Sequence, residues 1–251
     1  MHELIQHRGL RRGAATIAII ALISLAIMSA NGRSTIAEPE FPPLAGDTLI
    51  RGAGWTLRTE EFEGNIAAGV VFSSYDRESL LSYADAARAN IEAVFARHEI
   101  VPALLTFRRP IPVEEFPNLI ASSGATAMNY RIRTIEPDGR RGTIGGAPEP
   151  DGTVLDMDHL ADFALRQEAK GTSPLHIFGV IDAEVMVDRS AYGALSGRDD
   201  VFLVDLTRAV AVDLLPAELR QQIPISEVRL EPLYWHLEDA GLAPPPGDVG
   251  S

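Results

Sequence analysis

The sequence predicts a mixed α+β domain behind an N-terminal apolar leader. Three observations predict it. Strand-like apolar runs alternate with helical periodicity between residues 66 and 235, two stretches repeat a strand–helix–strand plan, and residues 13–29 carry no charge. The chain has 251 residues, no cysteine, 22 Lys+Arg and 35 Asp+Glu, for a formal net charge of −13. That length suffices for a buried core. The acidic balance argues against a general nucleic-acid binder, which needs a basic footprint. The missing cysteine excludes disulfide scaffolds, thiolate catalysis, Cys-ligated zinc and iron–sulfur clusters.

The leader comes first in the chain. Arg8, Arg11 and Arg12 precede the run GAATIAIIALISLAIMS, residues 13–29. A cationic flank before an uncharged apolar stretch is the export pattern, and the arginines predict an N-terminus inside and the rest outside. At ~1.5 Å per residue the run spans roughly 26 Å, slightly short of a ~30 Å hydrocarbon core. Residues 1–30 are therefore expected to be a signal-anchor; the alternative is a cleaved signal peptide and a secreted protein. Through Gly32 the three arginines outweigh Glu3, so the remainder carries −15 of the total charge. Residues 31–47, with Pro39, Pro42 and Pro43, read as a linker, and residues 243–251 (APPPGDVGS) as a disordered tail.

Within 48–242 the elements follow in order. Ile66–Phe72 reads as a buried strand. Asp76 is placed to cap a helix running to about His98, with an apolar spine at Leu80, Ala84, Ala87, Ile91 and Val94. Val101–Arg108 reads as a strand. A short helix through Phe116 and Leu119 closes at Gly124, with Pro117 shortening it. Ala125–Ile135 alternates as a strand. Residues 136–153, rich in Gly and Pro, form a loop waist that can hold a short hairpin around Thr143. Met157–Lys170 reads as a helix turning Leu160, Phe163 and Ala164 inward. His176–Asp188 and Val201–Asp205 read as strands flanking a helix at 190–196. A helix near 216–222 and an extended piece at 227–235 complete the domain.

Leu104–Arg133 and Glu184–Asp205 thus share one plan, each with an aromatic and a leucine three apart on its helix: Phe116 with Leu119, Tyr192 with Leu195. Two such units predict a ferredoxin-like split βαβ core with an extra N-terminal strand–helix and an insertion between its halves. A doubly wound parallel sheet is the alternative. At fold level this core resembles many regulatory and ligand-sensing modules, and fold alone carries no function.

Most catalytic templates are absent. Lys170 is the only lysine, Gln167 stands where a Ser-x-x-Lys serine would be, and no Gly-Lys pair, G-x-G-x-x-G or G-x-S-x-G occurs. His98-Glu99 begins a zincin-like string that Pro102 ends. Of the histidines beyond the leader, His98 is expected to face the C-terminal dipole of its helix, His236 to pack at the surface, and His159 and His176 lie apart in sequence. Asp156-x-Asp158-His159-x-x-Asp162 is the one acidic constellation. Its first reading is helix capping; its second is a divalent-cation site made by Asp156, Asp158, His159 and Asp162. Asp182, Glu184 and Asp188 share one face of a strand, read as wet. The functional expectation is a membrane-tethered, extracytoplasmic, non-enzymatic interaction or regulatory module. It touches the membrane through residues 13–29, binds a protein partner, and uses no cofactor or nucleic acid. The alternative is a carboxylate- or metal-assisted hydrolase built on the 156–162 cluster.

Overall fold

The structure, a computed structural model, describes residues 48–62, 65–135, 140–149, 151–168 and 175–244. The chain divides into residues 1–37 and 38–251, and the first unit, with the leader, lies outside the described residues, as does all of the linker read at 31–47. Among the described residues no helix is long and apolar enough to cross a membrane.

The domain is mixed α+β with two sheets and several helices. A four-stranded sheet has the order β1-β2-β3-β9, from β1 (Thr48–Gly52), β2 (Trp55–Phe62), β3 (Asn65–Phe72) and β9 (Val228–Leu230). A five-stranded sheet has the order β6-β5-β7-β4-β8, from β4 (Val101–Ile111), β5 (Thr126–Ile135), β6 (Arg141–Gly146), β7 (His176–Val187) and β8 (Val201–Asp205). Every pairing in the second sheet is antiparallel, which overturns the doubly wound parallel alternative. The parallel pair that forms is β3 with the three residues of β9.

The helices are α1 (Arg77–Ala89), α2 (Ile91–Phe95), α3 (Phe116–Ser123), α4 (Met157–Glu168), α5 (Arg189–Ser196), α6 (Thr207–Asp213), α7 (Ala217–Arg220) and α8 (Tyr234–Asp239). Asp76 caps α1, accepting from the Ser79 backbone N–H at 2.9 Å. The helix expected to reach His98 breaks at Asn90, whose side-chain amide donates to the Ala86 carbonyl at 2.9 Å. A side chain that bonds nearby backbone competes with helix continuation. Pro117 falls in the first turn of α3, where an amide proton has no helical partner, and Gly124 (φ 76°) closes the helix in the left-handed region.

Strand alternation divides the core in two. Ala103, Leu105 and Phe107 of β4 face Phe116, Leu119, Tyr192 and Leu195 of α3 and α5. Leu104 faces the other way, into a cluster with Trp55, Leu57, Phe72, Tyr83, Leu203, Tyr234 and Trp235. The five-stranded sheet is thus covered on both faces, which is why β4 reads as an unbroken apolar run. Close approach fixes two glycines. A Cβ on Gly179 (φ 136°) would collide with the Ile111 carbonyl oxygen, and one on Gly146 would collide with the Tyr130 ring.

Candidate functional site

The second face of the five-stranded sheet carries charge as well as apolar side chains. Register explains this. Arg131, Asp182 and Thr106 lie in one row across β5, β7 and β4; Asn129, Glu184, Leu104 and Asp205 lie in the next row, which extends to β8. Arg131 grips Asp182 with two bonds, Nε to Oδ1 at 2.7 Å and Nη2 to Oδ2 at 2.5 Å. Arg208 donates to Glu184, which also accepts from Asn129 Nδ2 at 2.6 Å. Asp205 accepts from Tyr83 Oη at 2.5 Å and from the Thr207 backbone N–H at 2.9 Å. Burial lifts the carboxyls of Asp182 and Asp205 above the ordinary range, even against Arg131 in the first case and Tyr83 and Thr207 in the second. The face expected to be wet at Asp182 and Glu184 is covered instead. Asp188, the third acid of that set, leaves the strand and caps α5, accepting from the Ala191 N–H at 2.8 Å.

The C-terminal segment closes this face. Arg133, 1% exposed, donates Nε to Glu238 Oε1 at 2.6 Å and stacks between Trp235 and Phe178. Arg141 reaches Asp239 at 2.6 Å and Glu238 at 3.4 Å. Trp235, beside the histidine expected at the surface, is buried. Glu231 joins Tyr75 Oη and His236 Nε2, and the Tyr75 and His236 rings stack 3.8 Å apart. Burial opposes ionisation of Glu231, but its bonds to His236 and Tyr75 outweigh that and hold the carboxyl below its ordinary range. Ala243, read as tail, packs into the same core.

The predicted cation ligands fall at the start of α4. Asp156 Oδ1 accepts from the Asp158 backbone N–H at 2.9 Å, a bond within the helix start. Asp158 and Asp162 are exposed one turn apart; the side chain of His159 lies outside what the structure describes. Among the described residues no group of three or more acids and histidines is placed to hold a metal ion. His98 contacts the carboxylate of Asp213 at 3.1 Å, a partner on α6 that sequence does not reveal. Lys170 lies outside the described residues.

The outer face of α4 is the candidate site. Leu155 and Leu160 anchor this segment in the core. Met157 (45% exposed) and Leu165 (61%) point outward, and Ala161 between them is exposed. At ~100° per residue, positions i, i+4 and i+8 fall within roughly 80° of one another, so the three form one apolar stripe. Asp158, Asp162 and Arg166, all exposed, repeat the same spacing beside it. The sequence carries the clue: Met157 and Leu165 are large apolar residues outside the inward set Leu160, Phe163 and Ala164.

No family model matches this chain, and no match is found among curated proteins or solved structures.

Proposed function

We propose that this chain is a membrane-tethered, extracytoplasmic interaction module that meets a protein partner through the outer face of α4. The carrying observation is the stripe Met157–Ala161–Leu165, exposed on a segment that Leu155 and Leu160 root in the core. Large apolar side chains grouped on a surface mark contact sites more than scattered ones do. The buried acids and arginines support the same reading, because each is engaged within the domain as part of its architecture. The reading uses no cofactor.

The order β5-β7-β4-β8, with α3 between β4 and β5 and α5 between β7 and β8, supports reading the core as a ferredoxin-like split βαβ. β6 and α4 are then the insertion between its halves. Insertions on a common scaffold are where a specific role is grafted. The tether is residues 13–29, with the acidic domain outside.

One experiment tests this reading. The full chain, carrying a photo-crosslinking residue at Leu165 or at Gly193, is expressed in bacterial membranes that are then washed in alkaline carbonate and irradiated. Gly193 is exposed on α5 with open space around it. The chain stays in the pellet and yields discrete protein adducts from position 165 alone. Release by carbonate contradicts the tether; absence of adducts at 165 contradicts the interaction surface.

A further inference from the structure

We draw no further inference here: the strongest candidate, the exposed apolar patch Met157–Ala161–Leu165 on the outer face of α4, belongs to the surface already described, and nothing in the structure shows what covers it.

Discussion

Arg133 shows what the charges of the inner face do. Its side chain is almost wholly buried, with its charge met by Glu238 and its plane stacked on Trp235. Removing one member of a buried pair leaves the other uncompensated, at a cost of about 3–5 kcal/mol. Arg133→Ala is therefore expected to lose about that much stability in urea unfolding; a loss under about 1 kcal/mol would mean that Arg141 suffices to satisfy Glu238. Asp205 makes a different prediction. Its carboxyl is raised by burial, so ionised Asp205 is disfavoured in the fold. Its contribution is then largest below the ordinary carboxyl range and is lost as pH rises through its raised value. The stability of the wild type relative to Asp205→Asn should grow as pH falls from ~7 to ~4. Unfolding curves across that range check it, and a flat difference would show an ordinary carboxyl. Residue-scale features were legible where they were local. Asp76 as a cap follows from its neighbours. The partners of Asp182 and Glu184 do not, because alternation assigns a face without saying what packs on it.

At the scale of elements, the strands and helices of 101–135 and 176–205 carry strong periodicity and lie close to where it puts them. Other features escaped. The β1–β2 hairpin is short, and its alternation of Trp55 and Leu57 with Thr56 and Arg58 is brief. The break at Asn90 depends on one side-chain bond. The extended piece read at 227–235 holds β9, but only three residues of it pair with β3 and Tyr234 and Trp235 belong to α8; α6 is not among the elements the sequence predicts. Helix α4 is the element on which the functional account stands. If its stripe serves a partner and not the domain's own core, Met157→Ser with Leu165→Ser should leave thermal stability within about 0.5 kcal/mol of wild type. A loss above about 2 kcal/mol, seen by calorimetry, would place these side chains in the core and remove the surface.

At the scale of the molecule, charge divides along the chain. Residues 1–32 carry a net +2 and residues 33–251 a net −15, a division that fits the proposed membrane orientation. The missing cysteines leave stability to the two apolar clusters and to buried ion pairs such as Arg133–Glu238. The proposed working surface is the outer face of α4. Its most direct measurement is photo-crosslinking from Leu165 in the membrane-bound full chain, compared with the same chain carrying Met157→Ser. Discrete adducts are expected that fall severalfold when Met157 is replaced, with none from Gly193. Equal crosslinking from positions 165 and 193, or adducts indifferent to Met157, would contradict it.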